Sequence, residues 1–582
     1  MAKRNLPVHL VVTTFRRGEK TYHNYLLRHT YREDGKVKNK TVANLSHLPL
    51  PVIEAIKAAL SGSQGSSVNI DNLEVVQSLP HGHVAAIHAT ARRLGMDTLL
   101  SSAPSRERDI ILAMLVQRII EPTSKLASTR LFSTTTLSAV CDLGGLQPGE
   151  PYAALDWLYE RQKRVETKLA KQHIPDGSLV LYDLSSSWVE GAHCPLAAYG
   201  HYRDRKKGVM QIEYGLITNK EGCPVAVEVF AGDTSDPTTV PSQIAKVTKE
   251  YGISDVVMVG DRGMLTGTEV DKLKDSKNIS WLTAMRHDSV RAFCDDQEQP
   301  FLPLHTQEEV VAEYTDEKNY PKERIIICRN AALAKKLGNS RLEVCARLEE
   351  KLAALKKRCA NPRSRCHTET GITVAADRIF HPRYAGFRRF FTIAIGEGEF
   401  SFARDEKALS SQAMYDGIFA LRTSVPAEKM DTHTVVTSYK LLTRVERRFR
   451  HIKTDLEIRP IHHWKEERVR AHVFLCMMAE YVRWHMEQDL APMLFVDDTK
   501  DLSDTPLHAP APSQGAREKT STRHSPDGLP VHSFSTLMSE LSTMAKTTLH
   551  LQGTPSDATF VRLTTPTPTQ TKAFQLLNVT VT

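Results

Sequence analysis

Between Ser178 and Thr283 the chain leaves helical periodicity for a succession of short apolar segments, and this succession most narrows the possible folds. Ser178 to Leu184 reads as a buried strand, Val209 to Thr218 as a second and Pro224 to Ala231 as a third, with a turn at Asn219-Lys-Glu-Gly222. A helix follows from Thr239 to Tyr251, then a strand at 255–260, a helix near 268–275 and a strand at 279–283. Strands joined by tight turns pair antiparallel, and strands separated by a helix pair parallel. The order predicts an α/β fold with a mixed sheet, antiparallel first and parallel later.

That order, β-β-β-α-β-α-β, is the ribonuclease-H-like arrangement, and it carries two aspartates in informative places. Asp183 lies inside the first apolar run and Asp261 closes the run Asp255-Val-Val-Met-Val-Gly-Asp261. A third acid, Glu446, lies far downstream in the helical pattern Tyr439 to Lys453. At about 100° per residue Val435, Tyr439, Leu442, Phe449 and Leu456 form one stripe, with Glu446 inside it. Arg444, Arg447, Arg448 and His451 point the other way. A carboxylate on an apolar stripe needs a partner, because burying it bare is costly. A buried Glu–Lys or Glu–Arg pair would meet that need, and so would a metal ion facing the two aspartates. Asp183 taken alone fits a satisfied core acid, and Asp261 a helix cap or turn acid.

Composition bounds the rest. A chain of 582 residues is too long for one core, so several domains are expected. No apolar run reaches the ~18 residues of a membrane span, since Val473–Ala479 is broken by Glu480 and Arg483. The start lacks an apolar signal segment, and nine cysteines without a CxxC pair suit a reducing cytoplasm. Cys359, Cys366 and His367 cluster without completing a four-ligand zinc pattern. The net charge of +8 is modest, but basic clusters at Arg203–Lys207, Lys356–Arg358 and Arg444–Lys453 favour a polyanionic partner.

Seven regions are expected. Residues 1–80 form a small β-rich unit, and 81–175 a helical region suited to DNA-end binding. Residues 176–285 are the first part of the catalytic core. Residues 286–430 read as a separate β-rich insertion, because so long a structureless loop inside a domain is improbable. Residues 431–490 close the core with helix. Residues 491–530, rich in Pro, Ser and Asp, read as a disordered linker, and 531–582 as a patterned tail.

At Tyr439, Glu446 and Lys453 the sequence resembles the DDE insertion-sequence transposases, in the insertion-sequence-4-like branch marked by Tyr-x2-Arg-x3-Glu-x6-Lys. Leu442 stands at the Arg position. Arg450 or Arg444 would then supply that charge. The blocks Tyr182-Asp-Leu-Ser-Ser186 and Val259-Gly-Asp-Arg-Gly-Met264 are similar to the family's aspartate blocks. The resemblance covers about residues 8–490 and recurs at the tail.

The resemblance implies cut-and-paste transposition of the protein's own element. Asp183, Asp261 and Glu446 would hold two Mg2+ ions, with Mn2+ able to substitute, about 4 Å apart. Tyr439, Lys453 and Arg450 would contact DNA phosphates. The partners implied are double-stranded DNA, both terminal inverted repeats and target, and a second copy of the chain in the DNA complex. The implied location is the cytoplasm, at the nucleoid. A metal-dependent nuclease of the same fold and an inactive DNA-binding relic are the alternatives.

Overall fold

The computed structural model describes residues 8–581 apart from 18–19, 34–35, 61–72, 202, 205, 207, 267–269, 271–278, 297–308, 498–506, 508–511 and 553–558. Three antiparallel strands open the chain, β1 (Val8–Arg17), β2 (Lys20–Glu33) and β3 (Lys36–Asn44), followed by a helix at Leu50–Leu60. Strand β4 (Leu73–Pro80) leads into a bundle of helices from Gly82 to His173. Ser105 caps the Arg106–Ile120 helix by accepting from Arg108 N, and that helix is buried from Ile110 to Ile119.

The centre of the molecule is a mixed sheet. Its strands are β5 (Ser178–Trp188), β6 (Gln211–Asn219), β7 (Pro224–Ala231), β8 (Val256–Val259) and β9 (Ile279–Ala284), joined by β10 (Glu309–Tyr314), β11 (Arg324–Asn330) and β14 (Ile418–Thr423). The spatial order is β10-β11-β14-β9-β8-β5-β6-β7, with β5, β8 and β9 mutually parallel and the other pairs antiparallel. The apolar runs that signalled strands become β5 to β9. The helix expected near 268–275 lies outside the described residues. Gly215 on β6 is required by packing, because a Cβ there would collide with the ring of Tyr182.

The expected separate insertion over 286–430 is corrected. β14 pairs with β9 and β11 with β14, so the central sheet runs on through this region. What stands apart is a smaller body within it. Helices at Ala331–Cys359 and Glu369–Phe380 and the hairpin β12 (Phe391–Gly396) with β13 (Glu399–Arg404) enclose their own core around Leu348, Leu352, Ile372 and Phe391. The unit expected over 1–80 is also corrected at its end. β4 pairs with β15 (Ala545–Leu551), which pairs with β16 (Thr559–Leu563), so 73–80 belongs with the tail. The linker expected to be disordered is partly ordered. Ser513 caps a helix at Gln514–Thr522 and bonds the Asp497 carboxylate through both N and Oγ, at 2.8 and 2.6 Å. Lys519 Nζ donates to the carbonyls of Ala491 and Val496. Residues 498–506 and 508–511 of that linker lie outside the described residues.

A helix at Glu466–Asp489 runs through the core and is buried on nearly every side from Val469 to Val482. An all-round buried helix has no solvated face for its charges. Its Glu480, 0% exposed, therefore pairs inward with Arg448, 5% exposed, of the Leu442–Arg450 helix at 2.8 Å. Arg448 also meets Glu487 at 3.2 Å, His451 lies 3.0 Å from Glu480, and Arg483 joins Glu487 to Asp455. Arg448 was expected on the outer face; the buried acids of the neighbouring helix draw it inward. No helix among the described residues is long and apolar enough to cross a membrane. Arg448→Ala is expected to cost about 3–5 kcal/mol of stability in urea unfolding, because it leaves Glu480 buried without its guanidinium.

Candidate active site

Strand register brings the two aspartates together. β5 and β8 are parallel, with Leu181 beside Val259. Two residues further along each chain stand Asp183 and Asp261. β8 ends at Val259, and the chain turns where Asp261 O accepts from the amides of Met264 and Leu265. Asp261 Oδ1 accepts from Arg262 N at 2.6 Å, and the residue stays exposed. Asp183 is half-buried, inside a strand paired on both sides, and its Oδ1 accepts from Leu184 N at 2.8 Å.

The third acid reaches them from above the sheet. The Leu442–Arg450 helix packs on β5 and β6, seated by buried Leu442, Val445 and Phe449. Glu446 lies at the border of that buried stripe and is exposed. The sequence placed it within an apolar face and offered a buried ion pair as the alternative; the helix is tilted so that this edge opens to solvent.

The acids act on one another. Burial, and then the carboxylates of Asp261 and Glu446, push Asp183 up to about 7, against the lowering effect of Leu184 N–H and Arg203. Burial and then the same three acids raise the Tyr439 hydroxyl, with Arg262 opposing them. Tyr439 therefore stands over the acid cluster. It does so from a different helix, Thr432–Lys440, because the expected continuous helix is interrupted at Leu441. A π-helical turn, His451–Asp455, then follows. The seven-residue spacings thus do not stack Tyr439, Glu446 and Lys453 on one straight face.

Lys453 turns away toward Asp204, which its Nζ meets at 2.7 Å and which Arg459 also pairs. Burial lowers the Lys453 pKa, and Asp204 opposes this. Arg450 is exposed near the end of the Glu446 helix. Leu442, at the signature's Arg position, is buried packing. Arg444 is half-buried and donates to the Lys220 carbonyl, so it does not join the acids.

Sequence reasoning missed the polar support beneath the acids. Arg203 donates to the Leu184 carbonyl at 2.8 Å, pairs with Asp236, and lies 3.4 Å from Glu213. It therefore braces the strand just past Asp183. Its signal was the run Arg203–Lys207, read as a basic cluster for a polyanionic partner. Burial raises Glu213 to about 8, with Arg203 lowering it. Three acids, with Arg203 acting on Asp183, offer a set of oxygen donors. Such a set fits a hard divalent cation such as Mg2+ or Mn2+. Among the described residues, His173, Cys223 and His485 are the one group of three ligand-type side chains whose donor atoms all lie within 4.8 Å, with nitrogen and sulfur donors; the three acids stand further apart than that.

A model of the transposase DDE domain matches residues 182–480, just over half of the chain, and a model of the IS1634 family transposase N-terminal domain matches residues 10–68. The chain belongs to the DDE transposases, enzymes that cut and join DNA. Among solved structures, the piggyBac transposase synaptic complex with hairpin DNA is similar at a TM-score of 0.33 and 8% identity, over 69% of this chain and 72% of that one. No curated protein matches.

A raised carboxylate pKa means that the folded chain holds the proton more tightly than the unfolded chain. Ionised Asp183 thus costs stability above about pH 7, and the cost disappears as pH falls below the ordinary carboxylate range. Asp183→Asn is expected to raise the melting temperature at pH 8 without added metal, and to abolish the rise that Mn2+ gives the native chain. Differential scanning calorimetry with and without Mn2+ checks both.

Proposed function

We propose that this transposase excises its own element and joins it to target DNA through a ribonuclease-H-like core in which Asp183, Asp261 and Glu446 hold divalent metal. The observation that supports the reading is that Asp183 on β5, Asp261 two residues past β8 and Glu446 on the overlying helix lie near enough to act on one another electrostatically. Mg2+ is the natural ion, two ions are expected, and Mn2+ substitutes. When bound, they supply an activated water or 3′-hydroxyl and a counter-charge for the leaving oxygen.

The chain's own residues do the positioning. Arg203 braces the main chain beside Asp183 through Leu184 O. Tyr439, above the acids, offers its hydroxyl to a phosphate flanking the scissile bond, and its raised pKa keeps that hydroxyl protonated as a donor. Exposed Arg450 contacts the DNA backbone. Lys453 exchanges Asp204 for a phosphate when a strand enters. The partners are the element's inverted repeats and target duplex, with a second copy of the chain in the complex. The branch with the Tyr, Glu and Lys signature is supported by Tyr439, Glu446 and Lys453, with Leu442 in place of Arg.

Asp183→Ala, Asp261→Ala and Glu446→Ala are each expected to lower Mg2+-dependent cleavage of an element-end duplex by at least about a hundredfold. End binding in a gel shift should hold, because affinity comes mainly from cations on phosphates. Lys453→Ala is expected to weaken both moderately. Full cleavage by Glu446→Ala would remove that residue from the site, and cleavage without strand transfer by the native chain would favour a nuclease.

A further inference from the structure

We propose that a cavity at the far end of β5 from the acid site, floored by Lys125 and Arg118, binds a backbone phosphate of the DNA strand. The transposase reading supplies only the identity of that strand. The cavity has a volume of about 430 Å³ and lies between the start of the Lys125–Leu131 helix and the segment 457–464. Its lining is strongly basic, and Glu457 is its one acid among the described residues.

The basic groups of its floor lack carboxylate partners among the described residues. Arg459 has Asp204 and Arg468 has Asp156, at 2.7 Å in the second case. Lys125 and Arg118 are 4% and 5% exposed, and no carboxylate pairs with either among the described residues. Arg118 donates to the carbonyls of Thr123 and Leu456 at 3.0 and 3.4 Å. Lys125 Nζ lies 3.3 Å from His472 Nδ1. His472 Nε2 lies 3.0 Å from the Ile458 carbonyl, which can only accept, so Nε2 carries the proton and Nδ1 offers its lone pair to Lys125. Burial, and then Arg118 close by, push the Lys125 pKa well below the ordinary lysine range, so its amine rests on a neutral ring and holds a proton best when an anion sits beside it. Burying like charges without an opposite one is costly, and an anion in the adjoining cavity relieves both. A guanidinium and an ammonium together suit the several oxygens of a phosphate.

The cavity's position ties it to the DNA path. Ile461 is annealed to the end of β5 through Ile461 N to Trp188 O and Glu190 N to Ile461 O. From Asp183 to Val189 along that strand is about 20 Å. Duplex DNA covers this in about six nucleotides. Arg459 of the cavity and Lys453 of the proposed active site share Asp204. A strand leaving the acids meets the cavity within about six nucleotides.

The test replaces single phosphates of the element-end duplex by neutral methylphosphonates and measures binding by the full chain and by Lys125→Met. The native chain is expected to lose about tenfold in affinity at one phosphate within about six nucleotides of the cut, and Lys125→Met to lose that sensitivity. A lower melting temperature of Lys125→Met with unchanged phosphate sensitivity would make Lys125 structural and overturn the proposal. A parallel arm adds inorganic phosphate to both proteins in melting experiments. Stabilisation of the native chain alone, with no sensitive phosphate in the duplex, would mean a free-anion site and overturn assignment to DNA. If the native chain binds no element end, the proposed end recognition fails, and the inorganic phosphate arm still judges the cavity: no stabilisation overturns it.

Discussion

The position of Glu446 depends on charges buried at the other side of its helix. Glu480 is fully buried in the central helix and can be accommodated only by a cation brought to it. Arg448 is that cation, and it stands two residues after Glu446 on the Leu442–Arg450 helix. Pairing Arg448 inward turns the opposite edge of the helix toward the cleft above β5, which is where Glu446 emerges. Glu487, Arg483, His451 and Asp455 extend the pair into a network that also grips the π-helical turn carrying Lys453. Discrete ion pairs of this kind fix a helix in rotation as well as distance, which apolar packing alone does less sharply.

The opposite tension lies in the sheet. Parallel pairing of β5 and β8 sets Asp183 and Asp261 abreast, and the strand interior desolvates the first of them. Such a cluster opposes stability and is held by the surrounding sheet. A fold often bears local cost of this kind at a site whose ligand later relieves it. Arg203 moderates it without cancelling it, because it is shared with Asp236 and Glu213.

Local pattern carried much of this architecture. The apolar runs from Ser178 to Thr283 were legible as strands because buried strands are short, β-branched and bounded by turn residues. The acids stood out because charge in such runs is costly. Tertiary choices were not legible. The apolar run in Arg324–Cys328 forms β11, but nothing local reveals that it pairs with β14 and so continues the main sheet. β4 and β15 find each other across the length of the chain. Periodicity assumed one unbroken helix from Tyr439 to Lys453, whereas the break at Leu441 and the π-helical turn change which faces meet. Glu480 and Arg483 were noticed as interruptions of an apolar run, yet their role as the anchor of the Glu446 helix needs the partner helix to be seen. Arg203 looked like one charge of a basic run for the same reason.

The central claim is that Asp183, Asp261 and Glu446 form a single metal site. Fe2+ placed in a Mg2+ site generates hydroxyl radicals that cut the polypeptide nearby, and mass spectrometry of the fragments maps the ion. Cuts clustered within a few residues of 183, 261 and 446 together, suppressed by excess Mg2+, are the result expected. Cuts at only one of these positions, or clustered at His173, Cys223 and His485 instead, would contradict it.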